Sequence, residues 1–227
     1  MKPAPPPAAA ETVFGPALAA ATAYAGWLAG PAVERGLLGP READRVWERH
    51  LLNSAALAGE LARVLPPDAA TGRRRRVCDL GSGAGLPGIV VALLRPDLEV
   101  VLLEPLLRRA TFLDEVVAAL ALPATTVVRA RAEDAARYGP FDVVVARAVA
   151  PLGRLAAWAL PLLRPGGELL ALKGERAAAE VAAASSSVRR LGAQVRDVVP
   201  VTVAGQETAV VAVVRPLDLP AAAGRMT

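Results

Sequence analysis

The densest run of residues suited to chemistry is Val77-Cys78-Asp79-Leu80-Gly81-Ser82-Gly83-Ala84-Gly85-Leu86-Pro87-Gly88. An apolar, strand-like stretch carrying one aspartate leads into three alternate glycines, Gly81, Gly83 and Gly85, and then into a helix start. Glycine lets a backbone turn tightly and come close to a ligand, and a helix N-terminus presents free N–H groups. Pro87 suits the first helical position. The same residues would also serve as a tight structural turn. A dinucleotide fingerprint, G-x-G-x-x-G, requires glycine at 86, where Leu86 stands.

Four further positions lie where strands should end. Glu104 closes Val101-Leu102-Leu103-Glu104, about 20 residues beyond the glycines, where a carboxylate can accept hydrogen bonds from both ribose hydroxyls of an adenosyl ligand. The alternative is a solvated strand-end acid. Glu133, in Arg131-Ala132-Glu133-Asp134, either caps a helix N-terminus or brings the Ala132–Glu133 segment against an adenine. Arg147 ends Phe141-Asp142-Val143-Val144-Val145-Ala146-Arg147. It suits a ligand carboxylate or an RNA phosphate, or it is one more surface arginine in an arginine-rich chain. Lys173, in Leu172-Lys173-Gly174, is the only lysine besides Lys2, and the alternative for it is a solvated strand end. The run Arg73 to Arg76 reads as a solvated face or as a sequence-independent RNA contact. His50 reads as a core or inter-element hydrogen-bonding residue.

The elements that must position these residues follow from periodicity. Residues 1–10 are rich in Pro and Ala and read as a disordered lead-in. A helical extension fills 11–70, broken around Gly36 to Pro40, with a second helix expected from Glu42 to Leu65. A ligand-binding domain covers 71–220, and 221–227 is a tail. Strands are predicted at Arg76–Leu80, Glu99–Leu103, Thr126–Arg129, Phe141–Ala146, Glu168–Leu172, Val195–Val203 and Ala209–Arg215. Helices are predicted at Pro87–Leu94, Pro105–Leu120, Ala132–Arg137, Leu152–Leu163 and Glu175–Leu191. Apolar strands alternating with helices give an α/β fold with a mostly parallel seven-stranded sheet. The short gap before the last strand makes it an antiparallel partner in a terminal hairpin at the edge.

Composition narrows the function classes. The chain has 227 residues, one cysteine and one histidine, with a formal net charge of +4. A lone Cys78 cannot form an internal disulfide and reads as a buried strand residue, and no CxxC or His-rich metal centre is expected. No run reaches the roughly 18 to 20 apolar residues of a membrane span, and prolines interrupt any signal core near the start. A cytoplasmic chain without membrane or metal partners is expected, and a monomer. A mild basic excess permits a polyanionic partner without requiring one.

At these residues the chain resembles the bacterial small-subunit rRNA guanine-N7 methyltransferases, also called the glucose-inhibited division protein B family. The likeness runs from about Trp47 to Lys173. It rests on Trp47-Glu48-Arg49-His50-Leu51-Leu52-Asn53-Ser54, on Asp79 through Gly88, on Arg108-Arg109-Ala110-Thr111-Phe112-Leu113, and on Arg131-Ala132-Glu133, Arg147-Ala148 and Leu172-Lys173-Gly174. The resemblance implies a Rossmann-like class I methyltransferase fold, S-adenosylmethionine as cofactor, and 16S ribosomal RNA in the small subunit as partner. It implies cofactor contacts at Gly81, Leu86, Ala132, Glu133 and Arg147, to which the residues themselves add Gly83, Gly85 and Glu104. Two departures stand out: Asn53 where many members have Asp, and Ala146 where many have Ser.

Guanine N7 has an in-plane lone pair and no proton to remove, so such chemistry needs positioning more than a general base. Arg147 and Lys173 are the residues expected to orient the reactants. Rival chemistries fit less well. Cytosine C5 methylation needs a cysteine near the fourth strand, whereas Cys78 is on the first. Exocyclic-amine methylation is associated with an Asn/Asp-Pro-Pro-aromatic segment, where this chain has Ala146-Arg147-Ala148-Val149. Ribose methylation commonly uses two lysines, and only Lys173 is available in the body of the chain. A small-molecule methyltransferase and a non-catalytic, RNA-associated cofactor-binding protein are the alternatives from other classes.

Overall fold

A computed structural model describes residues 3–66, 73–174, 176–203 and 206–215. The N-terminal part holds three α-helices: α1 (Ala8–Phe14), α2 (Leu18–Trp27) and α3 (Asn53–Val64). Between α2 and α3 the chain passes through a π-helical segment Leu28–Ala32, a 3-10 segment Pro40–Arg45 and a second π-helical segment Val46–Leu52. The alternating part follows as β1 (Arg76–Leu80), α4 (Gly88–Leu94), β2 (Glu99–Leu103), α5 (Leu107–Ala119), β3 (Thr125–Val128), β4 (Phe141–Arg147), α6 (Leu152–Ala159), β5 (Leu163–Lys173), α7 (Ala177–Arg190), β6 (Gln194–Val203) and β7 (Gln206–Val214). A 3-10 turn, Ala132–Tyr138, stands between β3 and β4 where a helix is predicted.

The seven strands form one sheet in the order β3-β2-β1-β4-β5-β7-β6. β1 to β5 are mutually parallel, and β7 runs antiparallel to both β5 and β6. The antiparallel last strand is as predicted, but it is not the edge. β7 inserts between β5 and β6 and leaves β6 outermost. Val210 to Val213 are fully buried, so burial on both faces favours the inner position for this apolar strand.

Residues alternate between the two faces of the sheet. Val77, Val100, Leu102, Val143, Val145, Leu170 and Leu172 join one core with α1 to α5. Cys78, Leu80, Val101, Leu103, Val144, Ala146 and Ala171 join the other with α6 and α7. The N-terminal helices therefore share a core with the sheet rather than sitting beside it. The lead-in is shorter than its composition suggests. α1 starts at Ala8, Ala10 is buried, and Trp47 Nε1 donates to the Ala4 carbonyl at 2.9 Å. That hydrogen bond and the burial of Ala10 hold a stretch that has no hydrophobic pattern of its own. Residues 221–227, expected as a tail, lie outside the described residues.

Candidate active site

The glycine turn is held by the strands on either side of it. The N–H groups of Gly81 and Ser82 both donate to the Leu103 carbonyl at the end of β2, at 2.8 and 3.0 Å. Gly81, Gly83 and Gly85 all adopt positive φ, the region open to glycine. Asp79, in β1, is fully buried beneath the turn. Its Oδ2 accepts from Ser82 Oγ at 2.6 Å and from the Gly88 N–H at 2.9 Å. The start of α4 was expected to offer its N–H groups to a ligand, but the one on Gly88 is spent on Asp79. Burial raises the Asp79 pKa to about 6.

A second fastening comes from the N-terminal helices. The Tyr24 hydroxyl, on α2, donates to the Ala84 carbonyl at 2.8 Å. Burial pushes this phenol well above its usual range. A Cβ on Gly85 would lie 2.6 Å from Ile89 Cγ1 and 2.8 Å from the Tyr24 hydroxyl. Gly85 thus permits helix packing rather than ligand approach. Leu86 is buried in the same core.

Gly81, Glu104, Ala132, Glu133 and Arg147 come together around a cleft of about 510 Å³ at the carboxyl edge of the sheet, where open α/β sheets bind ligands. Gly83, Gly85 and Leu86 do not line it. Glu104 is only 1% exposed, so it is no solvated strand end. Its Oε2 accepts from the Gly83 N–H and its Oε1 from the Leu106 N–H, both at 2.9 Å. Gly83 therefore serves the cleft indirectly, by fixing the carboxylate. Glu133 is exposed at the start of the 3-10 turn, on the cleft wall.

Arg147 forms a wall shared with a larger cleft of about 780 Å³. That second cleft is lined by Arg49, His50, Lys173 and Arg176, with Glu42 and Glu180 among them. Arg147 Nη1 donates to the Arg49 carbonyl at 2.9 Å and lies 3.4 Å from Asn53 Oδ1. Its Nη2 lies 2.8 Å from His50 Nδ1. Arginine only donates, so Nδ1 accepts and the imidazole proton sits on Nε2, which is 2.9 Å from Glu42 Oε2. Burial and the neighbouring Arg147 charge lower the His50 pKa to about 4. The ring is neutral at pH 7.

Lys173 is 9% exposed, which corrects the solvated alternative. Its Nζ donates to the Ala150 carbonyl and pairs with Glu180 Oε2, each at 2.8 Å. It ties the end of β5 to the loop after β4 and to α7. In that loop Ala148 holds φ +55, an uncommon conformation for a side-chain-bearing residue, at the junction of the two clefts. Ala146 is buried in the α6–α7 core and lines neither cleft.

The arginine run sits at the opposite, amino edge of the strands. Arg75 and Arg164 pair with the buried Asp142 carboxylate at 3.3 and 2.7 Å, and Arg76 pairs with Glu99 at 2.9 Å. It braces the sheet, away from both clefts. Sequence reasoning missed Tyr24 and Glu180, whose side chains reach the site from 60 residues before Ala84 and from the helix after β5. Nothing local marks either one.

This strand order, with β7 reversed and an acid-flanked glycine turn at the carboxyl edge, is that of a Rossmann-like methyltransferase. A crystal structure of precorrin-6y C5,15-methyltransferase from Geobacter metallireducens GS-15 shares the fold. Its TM-score is 0.55 at 14% identity, over 74% of this chain and 91% of that one. Residues 17–209 match the family described as rRNA small subunit methyltransferase G, GidB. The chain is 56% identical over 191 residues to ribosomal RNA small subunit methyltransferase G of Mycolicibacterium gilvum, spanning 83% of this chain and 79% of that relative. It is 54% identical over 191 residues to the protein of that name in Streptomyces coelicolor, spanning 84% and 76%. The chain belongs to the rRNA small subunit methyltransferase G family. Among the described residues no cluster of metal-ligating side chains occurs, and no helix is long and apolar enough to cross a membrane.

Proposed function

We propose that this protein transfers a methyl group from S-adenosylmethionine to N7 of a guanine in 16S ribosomal RNA, in the cytoplasm, acting on the small ribosomal subunit as a monomer. The smaller cleft fits the cofactor. Its volume, about 510 Å³, falls within the usual range for small-molecule sites. Gly81 lies on the wall, and a Cβ there would press at 3.0 Å on Val149, which also lines the cleft. The buried Glu104 carboxylate retains lone pairs for ribose hydroxyls. Ala132 and Glu133 stand where an adenine edge would lie. The bound sulfonium supplies an electrophilic methyl group.

The target base would enter the larger cleft, whose cations Arg49, Arg147 and Arg176 suit an RNA backbone. One observation carries the choice of atom: among the described residues, neither Lys173 nor His50, the two nitrogen bases lining the larger cleft, is free to take a proton. Lys173 is committed to Ala150 and Glu180. His50 accepts from Arg147 on one nitrogen and presents N–H on the other. Guanine N7 needs no proton acceptor, whereas an exocyclic amine or a hydroxyl does. Lys173 fixes the loop on which the base would rest, and Arg147 directs its remaining donors to whatever occupies the clefts.

The test is to incubate the protein with labelled cofactor and small subunits from a deletion strain, then map cleavage at 7-methylguanosine. One new cleavage site in 16S RNA is expected. Incorporation at another atom, or none, rejects the assignment.

A further inference from the structure

Arg147 faces both clefts, yet β4 fixes only its backbone. Its guanidinium is held by the segment before the sheet, 97 residues away in sequence at His50. Of its five N–H donors, three bonds run to Arg49, His50 and Asn53, so at least two remain for a ligand. Those two can aim at a ligand only while the others stay fixed. His50 can hold Nη2 only as an acceptor. A protonated ring, or one protonated on Nδ1, would set donor against donor. The groups facing the ring are Glu42, Arg49, Arg147 and Asn53. Of these, Glu42 places an acceptor, Oε2, 2.9 Å from Nε2. The ring belongs to the π-helical segment Val46–Leu52, and π-helical turns recur at functional sites.

We propose that Glu42 and His50 form a positioning relay for Arg147. The Glu42 carboxylate, 2.9 Å from Nε2 but outside hydrogen-bond geometry, favours the imidazole proton on that nitrogen by its charge. The imidazole holds Nη2, and the N-terminal segment thereby sets the angle of a guanidinium shared by the two clefts. His50 is a positioning residue and touches no reacting atom. The kinetic consequence rests on the methyltransferase reading, but the tautomer does not.

Two measurements separate them. His50 is the only histidine, so untagged protein labelled with 15N-histidine gives one imidazole spectrum. At pH 7 it should show a neutral ring protonated on Nε2, and it should stay neutral below pH 5. Arg147→Ala should shift the Nδ1 resonance. A ring protonated on Nδ1, titration near the ordinary value of about 6.5, or no response to Arg147→Ala overturns the relay.

The second measurement is methylation of small subunits by His50→Asn, His50→Gln and His50→Ala. Asparagine can place an acceptor near the Nδ1 position, whereas glutamine reaches toward Nε2. His50→Gln and His50→Ala should lower kcat/KM roughly ten- to a hundredfold, the scale of a misplaced positioning group, and His50→Asn should recover most of it. Calorimetric cofactor affinity and Tm should be similar in the Asn and Gln variants. Equal activity of those two variants overturns the relay. Wild-type protein with the expected imidazole spectrum but no methylation would instead reject the methyltransferase reading and leave the relay standing.

Discussion

The Tyr24 hydroxyl and the Ala84 carbonyl are joined by a buried 2.8 Å hydrogen bond that pins the glycine turn to the second N-terminal helix. Tyr24 is fully buried, so water cannot replace the bond. Tyr24→Phe keeps the ring packing and leaves one carbonyl unsatisfied. It should destabilise the protein by about 1–3 kcal/mol, the penalty for a buried unpaired polar group. It should also weaken cofactor binding, because the turn is the cleft wall. Denaturant titration and calorimetry check both. An unchanged midpoint would mean that the bond adds nothing.

The three turn glycines should respond differently to alanine. At Gly85 a Cβ meets Ile89 and Tyr24 at 2.6 and 2.8 Å with φ at +98, so Gly85→Ala should prevent the N-terminal helices from docking. At Gly83 the nearest atom is 3.9 Å away with φ at +62, so only the left-handed backbone is penalised, by about 1–2 kcal/mol. At Gly81 the added carbon pushes Val149 toward the cleft, so cofactor affinity should fall more than stability. Thermal melts alongside calorimetry would separate the three. Equal losses at Gly83 and Gly85 would contradict the packing argument.

Asp79 makes a pH prediction. Its folded pKa, about 6, lies above the ordinary value of 3.8. Between those values the folded state binds more protons than the unfolded state, so this group's contribution to stability falls as pH rises. His50 acts in the opposite sense. Its folded pKa, about 4, lies below 6.5, so its contribution grows as pH rises through that window. The two slopes oppose each other between about 4 and 6 in the wild type. Asp79→Asn removes one of them, so its stability penalty should be larger at pH 4.5 than at pH 7. Urea titrations of both proteins at the two pH values decide this, and a constant penalty would sink it.

Two sets of arginines should differ in their effect on RNA binding. Arg176→Ala, in the larger cleft, should weaken binding to the small subunit and reduce the salt slope by about one. Arg75→Ala removes a partner of the buried Asp142 and should lower stability with no change in that slope. Filter binding across a salt series distinguishes them. A reduced slope in Arg75→Ala would return the arginine run to the RNA interface.

The glycine turn, Glu104, Arg147 and the order of strands and helices were legible in the sequence because each depends on local rules. Strand burial shows as apolar runs, positive φ shows as glycine, and a strand end at the carboxyl edge fixes which residues face a ligand. Tertiary contact alone decided the rest. Gly85 belongs to the same motif as Gly81, but its close approach to Tyr24 and Ile89 places it in the core, where Leu86 is also buried. β7 reads as an edge from its short connection, and burial on both faces moves it inside. Lys173 admits a solvated reading from sequence, yet it is enclosed by partners from the loop after β4 and from α7. Arg147 was placed correctly, but what holds it, His50 and Glu42, lies about a hundred residues earlier. Sequence spacing encodes which way a side chain leaves its own element. It does not encode which distant side chain will meet it there.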